Sequence, residues 1–103
     1  MTIYWSNQAV AAFWEIRDNI YNRFGIEAEN DYVSAVDEAL QNAINFPKTG
    51  VEELELSPDG TVRSVLINRL SRIIYYIEED ILYVADVWDV RQDPHTLHSH
   101  FGK

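Results

Sequence analysis

The chain has 103 residues, with eight Lys and Arg against seventeen Asp and Glu, a formal net charge of −9, 47% hydrophobic residues and no cysteine. That length allows one core, whose folding buries roughly two-thirds of the surface the unfolded chain exposes, and the composition is globular rather than disordered. Disulfides and thiolate metal sites are excluded, and the acidity disfavours non-specific binding to phosphate backbones. The N-terminus, MTIYWSNQAV, shows no basic region followed by an apolar run, and no stretch approaches ~18 uninterrupted apolar residues. A single cytoplasmic domain over residues 1–103 is expected, with 95–103 as a flexible tail.

In chain order, residues 2–5 (TIYW) form a β-prone segment, and Ser6 stands where a helix N-cap belongs. From Asn7 to Phe24 the apolar positions Val10, Phe13, Trp14, Ile20, Tyr21 and Phe24 recur at helical spacing, and Gly25 ends the pattern. A second helix is predicted from Glu27 to Phe46, with Ala28, Tyr32, Ala35, Val36, Ala39, Ala43 and Phe46 as its stripe and Pro47 as its stop. So short a link predicts an antiparallel helical hairpin. The period then changes. Strands are predicted over 51–56, 61–67, 72–77 and 81–88, with turns at Lys48-Thr49-Gly50, Ser57-Pro58-Asp59-Gly60 and Glu78-Glu79-Asp80. The order β-α-α-β-β-β-β implies α+β: a helical hairpin on one face of a mainly antiparallel sheet, the other face open.

Strand alternation predicts what that open face carries. In RIIYYIE, residues 72–78, one side holds Ile73, Tyr75 and Ile77 and reads as core. The other side holds Arg72, Ile74, Tyr76 and Glu78. In ILYVADVW, residues 81–88, Asp86 is the misfit. If it points outward, strict alternation sends Leu82, Val84 and Trp88 outward with it. Arg72, Tyr76, Asp86 and Trp88 then form a mixed aromatic and cationic surface of the kind that holds extended peptides or stacked bases. The structural alternative is a cross-strand pair between Asp86 and Arg72. Arg63, Arg69 and Arg72 fall in the acid-free stretch 60–77, where they either bind a partner or pair with the many carboxylates.

The element order, FPKTG after the second helix, the RIIYYIEEDILYVADVW hairpin and the arginine in VWDVRQDP together resemble the RelE/ParE superfamily of toxin–antitoxin toxins. The resemblance covers about residues 3–94 and is most specific over 72–94. It implies a small microbial-ribonuclease-like fold and a toxin silenced by a co-expressed antitoxin. RelE-type members cleave messenger RNA on the ribosome without metal, whereas ParE-type members inhibit DNA gyrase.

The resemblance places Arg72 at a phosphate-contacting arginine and Arg91 at the arginine after the last strand, both catalytic if the chain is a ribonuclease. Guanidinium groups suit that role because they stay charged and grip phosphate oxygens in pairs. Arg63, Arg69, Tyr76, Asp86 and Trp88 are the candidate binding residues. Arg63 lies on a strand where RelE-type chains place lysines, and Val65 supplies no second cation. RelE-type chains also carry a tyrosine or histidine beyond the last strand, where this tail has His95, His98 and His100. A histidine there suits proton transfer, and the three together are a weak metal signal. No cofactor, no metal and no membrane partner are expected. The expected partners are a cognate antitoxin, a gyrase or ribosome/mRNA target, and a second copy of the chain if Tyr4 and Trp5 seal a dimer. The acidity and missing lysines favour the gyrase-directed reading, with a ribosome-dependent endoribonuclease or an inactive antitoxin-binding homologue as alternatives.

Overall fold

The computed structural model describes residues 1–90, in the order β1 (Thr2–Trp5), α1 (Asn7–Phe24), α2 (Ile26–Asn45), β2 (Val51–Glu52), β3 (Arg63–Ile67), β4 (Ser71–Glu78) and β5 (Ile81–Asp89). The strands form one sheet in the order β1-β5-β4-β3-β2. β1 runs parallel to β5, and the other neighbours are antiparallel. The expected α+β architecture is therefore present.

Local chemistry explains where each helix starts and stops. The Ser6 hydroxyl accepts the Ala9 N–H at 3.0 Å, capping α1, and donates to the Ala85 carbonyl at 2.8 Å. One side chain thus fixes both the helix start and a point on β5. Gly25 ends α1 with φ 96° and its N–H on the Tyr21 carbonyl, and α2 begins at the next residue. Glu27 and Glu29 lie in the first turn of α2, where the helix dipole favours anions.

The core lies between the hairpin and one face of the sheet. α1 contributes Ala9, Ile16 and Ile20, and α2 contributes Tyr32, Val36, Leu40 and Ala43. The sheet contributes Ile67, Ile73, Tyr75, Leu82, Val84 and Val87. Each of the larger side chains contributes about 1.5–3 kcal/mol by leaving water. Polar ties fix the register. The Tyr32 and Ser71 hydroxyls share a buried hydrogen bond of 2.7 Å between α2 and β4. Between the helices, Arg17 Nε donates to Glu29 at 2.9 Å, and its guanidinium lies 4.1 Å from the Trp14 ring centroid.

Three expectations are corrected. The strand predicted over 51–56 is only Val51–Glu52, because at Glu53 the chain leaves the sheet: the Leu56 and Ser57 N–H groups turn back onto its carbonyl. On α1, Ile20 of the expected stripe is buried and Phe13 packs against the core, but Val10, Trp14, Tyr21 and Phe24 are exposed. Ala9 and Ile16 complete the buried face instead. On β5, Leu82 and Val84 face the helices. Ile74 pairs with Asp86 and Tyr75 with Val84, which leaves Ala85 as an extra residue. That β-bulge reverses the alternation between Val84 and Asp86.

Tyr75 anchors the segment that follows α2. Its hydroxyl donates to the Pro47 carbonyl at 3.1 Å and accepts the Gly50 N–H at 3.2 Å. Burial raises its pKa above the ordinary tyrosine value, partly offset by the Gly50 N–H and the nearby Arg63 charge. The folded state therefore holds this proton more tightly than the unfolded chain does. That contribution to stability is complete below about pH 10, the unfolded value, and is lost as pH rises through the folded value. Denaturant titrations between about pH 9 and 11 are expected to show an alkaline loss of stability, reduced in Tyr75→Phe. An equal loss in that variant would remove Tyr75 as its source.

Candidate functional site

The sheet face opposite the helices carries three cross-strand rows. In the first, Tyr4 of β1, Tyr83 of β5 and Tyr76 of β4 stand side by side in register. Tyr4 meets Tyr83 edge-on at 5.8 Å between centroids, and Tyr83 stacks on Tyr76 at 4.9 Å. The second row is Asp86, Ile74 and Ser64, and the third is Trp88, Arg72 and Leu66. The bulge puts Asp86 and Trp88 on the same face as Tyr83.

Asp86 organises its neighbours. Its carboxylate accepts the Gln8 amide at 2.6 Å, the Trp88 indole N–H at 2.9 Å and the Val87 N–H at 2.8 Å. Arg72 lies opposite Trp88, not Asp86, so the cross-strand ion pair considered from the sequence does not form. The Arg72 guanidinium instead donates to the Ser64 hydroxyl at 2.9 Å, and Ser64 donates to the Glu53 carboxylate at 2.5 Å. Ser64 is fully buried, so this relay sets the direction of Arg72 and neutralises it at one remove.

The other predicted residues separate. Arg63 is in register with Tyr75, which places it on the helix side. It donates to the Lys48 and Gly50 carbonyls and pairs with Glu52 at 3.2 Å, holding the post-helix segment against β3. Arg69 sits exposed in the β3–β4 turn, where Asn68 and Arg69 both take positive φ, 49° and 60°. Tyr76, Asp86, Trp88 and Arg72 do share one face. Arg91, His95, His98 and His100 lie outside the described residues. Among the described residues, no cluster of three or more His, Asp or Glu side chains is placed to hold a metal, and no helix is long and apolar enough to cross a membrane.

Sequence reasoning missed Tyr4, Tyr83, Ser64, Glu53 and Gln8 as parts of this face. Tyr83 was hidden by the bulge. Ser64 and Glu53 carry no local signal, since their pairing depends on how the 53–62 segment returns to β3.

A family model described as "ParE toxin of type II toxin-antitoxin system, parDE" matches residues 3–94. The chain belongs to the ParE toxin family. Among solved structures it is similar to a chain of a chromosomal ParDE toxin–antitoxin system from P. aeruginosa, with a TM-score of 0.68 at 17% identity. The match covers 86% of this chain and 95% of that one. At that identity the likeness speaks for the fold. No curated protein matches the chain. The ParE match takes in both helices and the sheet, over the same residues 3–94 to which the RelE/ParE resemblance was assigned from the element order, FPKTG, the hairpin and its trailing arginine.

Proposed function

We propose that this chain is the toxin of a type II toxin–antitoxin module, held silent by a cognate antitoxin, and that it arrests growth by binding and inhibiting DNA gyrase rather than by cutting RNA. The observation that supports this most is the make-up of the open sheet face. Among the described residues its rows carry one arginine, Arg72, already engaged by Ser64, which in turn bonds Glu53, beside three tyrosines and Trp88. Phosphoryl-transfer chemistry on RNA calls for several cations around the scissile phosphate and a proton-transfer group beside them. Arg63, on the neighbouring strand β3, is turned to the opposite face and occupied. A row of aromatic side chains with a single oriented guanidinium suits a protein surface, where Tyr, Trp and Arg dominate binding energy.

The test is tightly controlled expression of the wild type and of Arg72→Ala/Tyr83→Ala at matched protein levels. Growth arrest with altered plasmid supercoiling and intact messages is expected for the wild type, and loss of both effects for the variant. Translated messages cut within codons, with the cuts lost in Arg72→Ala, would instead establish a RelE-like ribonuclease. No arrest by the wild type would leave an inactive antitoxin-binding homologue.

A further inference from the structure

Carboxylates bracket the tyrosine row of the open sheet face. Toward the β4–β5 turn, the next cross-strand row is Thr2, Ile81 and Glu78. On the other side it is Asp86, Ile74 and Ser64. Glu78 is exposed, and Glu79 and Asp80 continue the turn beyond it. The three groups bonded to Asp86 are neutral donors. No Lys, Arg or His side chain stands in any of these three rows. Arg72 shares the face but lies four positions along β4 from Tyr76, about 13 Å at about 3.3 Å per residue, a distance at which salt screens exposed charges.

The rings leave a seat beside these acids. Tyr83 and Tyr76 are nearly parallel, at 16°, so the stack ends in the outer face of Tyr76. β3 begins at Arg63, opposite Tyr75, and no residue of that strand stands beside Tyr76. Glu78, two residues further along β4, leaves the same side of the sheet. Ring faces edged by carboxylates attract a cation, because the ring quadrupole and the acids act in the same direction. Arginine fits better than lysine. Its planar, weakly hydrated guanidinium stacks on a ring while its N–H groups reach a carboxylate. Nucleobases also stack on tyrosines, but a base would bring phosphates beside Glu78, Glu79, Asp80 and Asp86 on a chain of net charge −9, and the like charges oppose that.

We propose that the tyrosine row is an arginine-reading subsite: an exposed arginine of the protein target lays its guanidinium on the outer face of Tyr76, continuing the Tyr83–Tyr76 stack, and donates to Glu78. This deepens the reading that the open face engages a protein target, and rests on it. The opposite end of the face, where Trp88 stands beside Arg72, presents a cation instead. The two ends favour opposite charges and so set the direction in which a target segment crosses the sheet.

The experiment is surface plasmon resonance with purified DNA gyrase, free of DNA, against the full-length wild type, Tyr76→Leu, Tyr76→Phe and Glu78→Gln, at low and physiological salt. Far-UV circular dichroism verifies the fold of each, and Glu78, being exposed, can be changed without disturbing the core. Tyr76→Leu is expected to lose about tenfold in affinity, and Tyr76→Phe, which keeps the ring face, to recover most of it. Glu78→Gln should lose about threefold at low salt and less at physiological salt. Undiminished binding by Tyr76→Leu, or a phenylalanine variant no better than the leucine one, would overturn the inference while leaving the gyrase reading intact. Tighter binding by Glu78→Gln would also overturn it, since removing a carboxylate helps an anionic ligand such as nucleic acid and not an arginine. No binding by the wild type would remove gyrase as the target and the inference with it.

Discussion

Gly50→Ala is expected to destabilise the protein by about 2–4 kcal/mol, combining overpacking with loss of a buried hydrogen bond. Gly50 is buried at the point where the chain leaves α2 for β2. A Cβ there would lie 2.7 Å from the Tyr75 hydroxyl and 2.8 Å from the Ser64 carbonyl oxygen. The hydroxyl ends a side chain and could retreat. The carbonyl cannot, because Ser64 pairs with Val51 on one side and Ile74 on the other. Relief therefore requires the 47–52 segment to move, which breaks the Tyr75 bonds to Pro47 and Gly50 and loosens the Arg63 clamp on the Lys48 and Gly50 carbonyls. In urea the midpoint should fall with an unchanged slope, the sign of lost stability in an intact two-state transition. Tyr75→Phe alone should cost about 1–3 kcal/mol by leaving the Gly50 N–H and Pro47 carbonyl without their partner. The double substitution should cost less than the sum of the two, since the phenyl ring gives the new methyl room. Strict additivity would show that the Ser64 carbonyl alone sets the penalty.

The hairpin, the sheet and their order were legible because their signals are local: Ser6 before an amphipathic run, Gly25 and Pro47 as stops, and acidic or Gly-containing turns between β-rich segments. The face assignment on β4 was legible for the same reason, since strict alternation separates Ile73, Tyr75 and Ile77 from Arg72 and Tyr76. β5 was misread because alternation was extended through Ala85. The sequence did hold a hint. Leu82 and Val84 are apolar at even positions and Asp86 is polar at the next, a change of character that an unbroken strand between helices and solvent does not produce. α1 was misread differently. Its large aromatics form the more conspicuous stripe, while the buried face depends on small Ala9 and on Ile16 and Ile20. Periodicity reports that a stripe exists, not whether the domain's own core or a partner covers it. Arg63 shows a third limit: its charge suggested a ligand, and only the return of the 48–52 segment reveals that backbone carbonyls and Glu52 already take it up.

The bulge makes Asp86 the residue on which the candidate site depends most. An unbroken β5 would pair its residues one position out from Asp86 onward, turning Asp86 and Trp88 into the helix-facing core and Val87 outward. The bulge is held at two points. Ser6 takes the Ala85 carbonyl, and Asp86 gathers the Val87 N–H, the Trp88 indole and the Gln8 amide. Asp86→Ala removes the acceptor for all three donors and is expected to cost about 2–3 kcal/mol. Asp86→Asn keeps one acceptor oxygen and Gln8 can turn its own carbonyl toward the new amide, but either the Trp88 indole or the Val87 N–H then faces the NH2 group, so its cost should fall below that of the alanine change, at about 1–2 kcal/mol. The functional consequence is separable from stability. The chain has three tryptophans, and the indole N–H resonance of Trp88 should move in Asp86→Ala while the other two hold. Growth arrest should weaken at temperatures where the variant remains folded, because Trp88 no longer stands fixed opposite Arg72. An unmoved Trp88 resonance in a folded Asp86→Ala protein would show that the strand pairing alone, and not the carboxylate, sets this part of the face.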